Sequence, residues 1–273
     1  MNVPTYTIST KIIDLVARIA EKLGEIRGSG EYSRNLHLRK INRLRSIQSS
    51  LAIENNTLSL GQVTDIIEGK RVLGMPHEIQ EVKNSYQVYE HLLEYDPYKV
   101  EDFLKAHKFM TSDLVKDAGH FRSQGVGVFS GAQLIHAGAN YQFVPQLITD
   151  LFAWAKKTDV HPLIKSSIVH FETEFIHPFM DGNGRIGRLW QTLILSNGTN
   201  FSRGCLLKQQ CMKINKVIMM PYKWRKKQPT RKFLLNLCSM LSCKRWRNCQ
   251  SEKLPIYLPI YLPINSQKPN WSF

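Results

Sequence analysis

His177, Asp181, Arg185 and Arg188 fall in the twelve-residue segment His177-Pro-Phe-Met-Asp-Gly-Asn-Gly-Arg-Ile-Gly-Arg188. A histidine accepts a proton near neutral pH. The Asp181 carboxylate offers a hard oxygen for Mg2+, the ion that normally accompanies a nucleoside triphosphate. Guanidinium forks match phosphate oxygens. Arg185 and Arg188, three residues apart on a helix, are expected to point to one side. Helical periodicity resumes after Gly184, with Ile186, Leu189, Leu193 and Ile194 as the buried stripe, so Gly182-Asn183-Gly184 is expected to run into a helix N-terminus. Glycines there let the backbone approach a ligand closely, and free N–H groups face an anion. Pro178 fixes the backbone beside the base, and Phe179 is expected to hold the loop in the core. A lone histidine is usually structural and a Gly-Asn-Gly is usually a turn. A base, a metal ligand and a phosphate cradle in one segment point instead to reaction of a nucleotide phosphate.

The elements that must position this loop read as mainly α-helical over residues 1–196. Ile12, Ile13, Leu15, Val16, Ile19, Ala20, Leu23 and Ile26 repeat at helical spacing. A second helix is predicted from Leu36 to Glu54 with Ser33 as its N-cap. Ser59 and Gln62 form a capping box before Val63, Ile66 and Ile67, and Gly69 closes that short helix. Further helices are expected at about 77–95, 100–116, 146–157 and 161–176. Residues 119–144 break the pattern. Gly-Val-Gly-Val-Phe, Ser130-Gly131 and Leu-Ile-His read as a β-hairpin, either a structural flap or an exposed edge that pairs with a peptide.

His177 to Arg188 resembles the Fic-domain motif, H-P-F-x-[DE]-G-N-G-R-x-x-R, at every defined position. The resemblance implies a helical Fic-type bundle with one β-hairpin flap, and transfer of AMP from Mg-ATP to a Ser, Thr or Tyr hydroxyl of a target protein. It implies that His177 is the general base and Asp181 the Mg2+ ligand. Gly182, Asn183 and Gly184 would form the anion hole, with Arg185 on the phosphates and Arg188 on the γ-phosphate. Gly125, Val126, Gly127, Val128 and Phe129 resemble the family's flap, which docks the target by strand addition. Upstream, Ser50-Leu-Ala-Ile-Glu54-Asn55 resembles the inhibitory motif [ST]-x-x-x-E-[GN] of the class with an N-terminal inhibitory helix, and Asn56-Thr57-Leu58-Ser59-Leu60 continues the likeness. A Glu54 carboxylate paired with Arg188 would take the partner of the γ-phosphate and prevent productive ATP binding. The expected organisation is a helical segment at 1–35, either a family N-terminal segment or a homodimer contact, and a Fic domain with its inhibitory helix at 36–196, incomplete at its C-terminal end. An atypical tail follows at 197–273.

The tail differs sharply from the rest. Of the net charge of +15, residues 197–273 contribute fifteen Lys and Arg against one acid, Glu252, and residues 1–196 twenty-two against twenty-one. All five cysteines, Cys205, Cys211, Cys238, Cys243 and Cys249, also lie in the tail. They contain no C-x-x-C pair, which argues against a zinc site. The basic clusters carry Trp224 and Trp246 but no nucleic-acid-binding motif, so nucleic acid is not the expected partner. Shifted by one frame, the codons for Met219-Met220-Pro221 must read Asp-Ala. Permitted codons for Asn197 to Gly204 and for Leu234 to Cys238 give family-like peptides in that same frame. The tail is therefore expected to be an out-of-frame translation, poorly ordered, that begins near codon 197.

No apolar run approaches the ~20 residues of a membrane span, and the N-terminus lacks the pattern of a signal peptide. A cytoplasmic location is the expectation. The competing readings are an inactive relic of the same fold, a different phosphate or nucleotide transfer or AMP removal on that scaffold, and a basic DNA-binding regulator.

Overall fold

In the computed structural model, apolar side chains at helical spacing build eight α-helices among the described residues, which are 3–29 (Thr7 aside), 36–130 and 133–198. They are α1 (Thr10–Ser29), α2 (Leu36–Ile53), α3 (Leu60–Ile67), α4 (Pro76–Glu90), α5 (Val100–Met110), α6 (Val144–Lys157), α7 (Pro162–Ile176) and α8 (Asn183–Gly198). Strands β1 (Gly127–Ser130) and β2 (Gln133–Ala137) pair antiparallel, with a register shift between Val128 and Phe129. The fold class is mainly α. The predicted N-cap Ser33, Gly131 in the hairpin turn, and all five tail cysteines lie outside the described residues.

Local chemistry starts and stops the helices. At α3 the Ser59 hydroxyl accepts from the Gln62 N–H while the Gln62 side chain accepts from the Ser59 N–H, the reciprocal capping box. Gly69 follows in the left-handed region at φ 78°, with its N–H donating to the Ile66 carbonyl. Proline occupies the first turn of α4, α6 and α7, where a missing N–H costs nothing. The helix expected over 100–116 stops at Met110. Thr111 turns its hydroxyl back onto the His107 carbonyl, and Asp113 takes a positive φ of 60° that a helix cannot continue through.

α7 runs through the middle of the domain, buried on nearly every side, and α8 returns against it. The core between them is aromatic. Trp190 lies edge-on to Phe103 at 5.0 Å and stacks on Phe152 at 5.9 Å, while its indole N–H donates to the Pro97 carbonyl at 2.9 Å. Phe179, fully buried, joins this cluster through Phe103 and stacks on the His107 ring at 3.6 Å. The loop before α8 is thus pinned by its own phenylalanine, as expected from the sequence. No helix among the described residues is long and apolar enough to cross a membrane.

Candidate active site

α7 ends at His177, which caps it in the left-handed conformation (φ 54°, ψ 65°), and α8 begins at Asn183. The five residues between form the loop. A non-glycine residue at positive φ carries about 1–3 kcal/mol of strain and needs a surrounding that enforces it. Here the His177 N–H donates to the Thr173 carbonyl at 2.9 Å and the His177 carbonyl accepts from Arg122 Nε at 2.7 Å. The turn leaves the histidine half-buried at the loop's edge.

Asn183 holds the loop closed. Its Oδ1 accepts from the Phe179 N–H and its Nδ2 donates to the Phe179 carbonyl, both at 2.9 Å. Its side chain is therefore engaged within the loop, and only its backbone N–H is available to an anion. Gly182 has φ 78°, and a Cβ there would lie 2.8 Å from Thr111 Cγ2, so both conformation and space require glycine. The first backbone bond of α8 runs from Ile186 N–H to the Gly182 carbonyl. The N–H groups of Asn183, Gly184 and Arg185 precede it and have no acceptor within the helix. This end of α8 attracts negative charge.

A carboxylate stands at that end. A Cβ built on Gly184 would collide with Glu54 Oε1, and Glu54 Oε1 accepts from Arg188 Nη2 at 2.5 Å. Arg188 is buried. It also donates from Nε to the Ser50 hydroxyl at 2.8 Å and from Nη2 to the Ser50 carbonyl at 3.1 Å. Ser50 lies in the last turn of α2 and Glu54 four residues on, in the turn just past its end, so both reach the same guanidinium. The structure thus brings Ser50, Glu54, Gly184 and Arg188 together.

Arg185 engages different partners from Arg188, although the two were expected to point to one side. Its Nη1 donates to Glu81 of α4 at 2.7 Å and its Nη2 to Asp181 at 3.1 Å. Glu81 was not expected from the sequence, because its partner lies 104 positions away. Its other oxygen accepts from Asn56 Nδ2 at 2.8 Å, which ties the end of the Glu54 segment to α4. The Asp181 side chain is 61% exposed, with Oδ1 accepting from the Gly182 N–H at 2.6 Å. A hard, largely exposed carboxylate beside a phosphate-shaped cradle fits a Mg2+ ion that takes most of its ligands from water and phosphate. The described residues hold no group of three metal-ligating side chains. His107 was also missed. Its ring bonds the Asp181 carbonyl at 3.0 Å and accepts from the Gly119 N–H at 3.0 Å, and burial lowers its pKa to about 4, so it stays neutral. Behind the loop, burial raises the carboxyl of Glu174 to about 7, against the lowering pull of Arg188.

On the flap side, Gly125 is exposed and precedes β1, while the Val126 carbonyl accepts from the Gly138 N–H at 3.0 Å. Gly127, Val128 and Phe129 lie in β1. A Cβ on Gly138 would lie 3.4 Å from His177 Cβ, so the stem of the hairpin rests against the histidine.

Residues 97–195 match the model of the Fic/DOC family. The chain is 30% identical over 166 residues to protein adenylyltransferase fic-1 of Caenorhabditis elegans, covering 55% of this chain and 31% of that protein. It therefore spans about a third of the length of that curated relative. A solved Fic family protein from Desulfovibrio desulfuricans G20 superposes with a TM-score of 0.74 at 41% identity, over 93% of this chain and 78% of that one. A structure of Caenorhabditis elegans Fic-1 shares the fold at 24% identity, with a TM-score of 0.57 over 88% of this chain and 73% of that one.

Proposed function

The chain belongs to the Fic/DOC family, and from that premise we propose that its site transfers AMP from Mg-ATP to a Ser, Thr or Tyr hydroxyl of a target protein and is held off by Glu54. The observation that carries this reading is the Glu54 carboxylate, set at the N-terminus of α8 on Arg188. A site that holds one carboxylate on a buried guanidinium, beside a helix N-terminus, is suited to a phosphate in its place.

In this reading the triphosphate lies along the start of α8, with backbone N–H groups of Asn183, Gly184 and Arg185 on its oxygens and Arg188 on the γ-phosphate. Asp181 would hold Mg2+, which when bound neutralises phosphate charge. His177 takes the proton from the target hydroxyl. The hydroxyl oxygen bonds to the α-phosphorus, the bond from that phosphorus to the β-phosphate bridging oxygen breaks, and pyrophosphate leaves. Gly125 to Phe129 and β1 offer an edge for an extended target segment.

Incubation with α-labelled and γ-labelled ATP tests the reading. Covalent label from the α-position alone, lost in His177→Ala with ATP binding kept, is expected. Label from the γ-position would mean phosphate transfer, and failure of the Glu54→Gly chain to bind ATP at all would mark a relic. The segment 197–273 is further proposed to be an out-of-frame translation, supported by the change of charge and cysteine content there. Sequencing the DNA across codons 190–200 tests that.

A further inference from the structure

Arg122 is a buried cation, 3% exposed, whose bonds among the described residues all run to backbone carbonyls and none to an acid. Its Nε donates to the His177 carbonyl at 2.7 Å and its Nη2 to the Ile176 carbonyl at 3.3 Å. Those are the last carbonyls of α7, where the helix leaves its acceptors unsatisfied and its negative end faces outward. Nη1 donates to the Gln124 carbonyl at 2.8 Å, and Nη2 also to the Ala139 carbonyl. Gln124 and Ala139 are the two legs of the hairpin stem. The Arg122 N–H adds a bond to the Pro178 carbonyl at 3.0 Å.

A guanidinium without a carboxylate partner is held here by converging carbonyl dipoles, because its planar fork can satisfy several acceptors in fixed directions at once. The space around it is closed. A Cβ on Gly138 would lie 2.9 Å from Arg122 Nη2 and 3.0 Å from Val126 Cγ2. One side chain therefore joins three pieces: the end of α7, the left-handed turn at His177, and both legs of the flap.

We infer that Arg122 is a positioning residue for the transfer reaction: it enforces the strained His177 turn and sets the flap stem in register with it. The inference rests on the AMP-transfer reading of the site. It places a target hydroxyl, presented by a segment docked on β1, at a fixed distance from the His177 ring. A displacement of about 1 Å at such a site costs on the order of 100-fold in rate. None of Arg122's hydrogen bonds among the described residues runs to Arg185, Arg188 or the N-terminal turn of α8, so ATP binding is a separate quantity.

The test uses the full chain in the Glu54→Gly background, with Arg122→Gln and Arg122→Lys. Lysine keeps the charge and gives a second variant where glutamine prevents folding. Three quantities are read: Mg-ATP affinity, the rate of self-labelling at saturating ATP, and amide hydrogen exchange at Gly138. ATP affinity is expected within about threefold of the parent, the transfer rate about 100-fold lower in Arg122→Gln and less impaired in Arg122→Lys. Exchange at Gly138 is expected to rise at least about tenfold while the α8 amides stay protected. A transfer rate within about threefold of the parent overturns the inference. So does a fall in ATP affinity that matches the fall in rate, or a Gly138 amide that stays protected. If the Glu54→Gly parent binds ATP but transfers nothing, the AMP-transfer reading fails, and exchange at Gly138 still decides whether Arg122 holds the flap to the His177 turn.

Discussion

The Glu54 carboxylate accepts a hydrogen bond of 2.5 Å from Arg188, a residue 134 positions further along the chain, and does so directly over Gly184. One contact thus neutralises the guanidinium and covers the N-terminus of α8. In the proposed function a triphosphate needs both, so Glu54 and ATP are expected to compete for one site.

Replacing Glu54 by glycine is expected to strengthen Mg-ATP binding and raise self-labelling with AMP by about tenfold or more, the effect of removing a competitor worth about 1.4 kcal/mol or more. Isothermal titration and labelling from α-labelled ATP check it. Unchanged affinity and rate would show that the pair does not compete with nucleotide.

Ser50→Ala removes the hydroxyl that accepts from Arg188 Nε at 2.8 Å but leaves the Ser50 carbonyl and Glu54 in place. A hydrogen bond to a charged group is worth about 1.5–3 kcal/mol. Partial relief of inhibition, smaller than that of Glu54→Gly, is expected. Both residues act through Arg188, so the double variant should label no faster than Glu54→Gly alone. Additive rates would separate the two contacts.

Gly187→Ala tests packing behind the site. The new Cβ would stand 2.5 Å from Glu174 Oε1 and 3.0 Å from His170 Nδ1, two buried groups. Overpacking costs about 1–3 kcal/mol, against a gain of about 1 kcal/mol for alanine in a helix. A lower midpoint in urea is expected, and a midpoint at or above the parent's would mean that Glu174 moves aside freely.

The buried Glu174 carboxyl predicts a pH dependence. Burial raises it from its ordinary value of 4.5 to about 7, so the folded chain holds this proton more tightly than the unfolded chain. The group imposes no penalty below pH 4.5 and an increasing one from there to pH 7, where it levels off at about 3 kcal/mol. Glu174→Gln should remove this slope and make the folded chain more stable than the parent at pH 8. Urea unfolding at pH 5 and pH 8 checks it; equal differences at both pH values would place the Glu174 proton elsewhere.

Short-range chemistry made much of the fold legible. The Ser59–Gln62 capping box, the proline-led helices and the start of α8 at the Asn-Gly-Arg run are determined by residues within one turn of each other. The composition of the loop suggested a base, a metal ligand and a cradle, which the proposed function carries forward, because such roles depend on residue type more than on surroundings. The end of α5 was misplaced by six residues, since the Thr111 hydroxyl and the turn at Asp113 outweigh an apolar pattern that runs on to 116.

The sequence by itself determined which side chains and glycines the loop offers; through a short motif it also pointed to Glu54 as a residue of the same site. Tertiary structure alone decided which carboxylate meets which arginine. Glu81 reaches Arg185 from α4 and Glu54 reaches Arg188 from the turn that ends α2, because the rotation of each helix is set by its buried face and not by its charged one. The same holds for Arg122, whose partners are backbone carbonyls. A carbonyl carries no side-chain signature, so only the folded chain reveals that one arginine holds the His177 turn and the flap together.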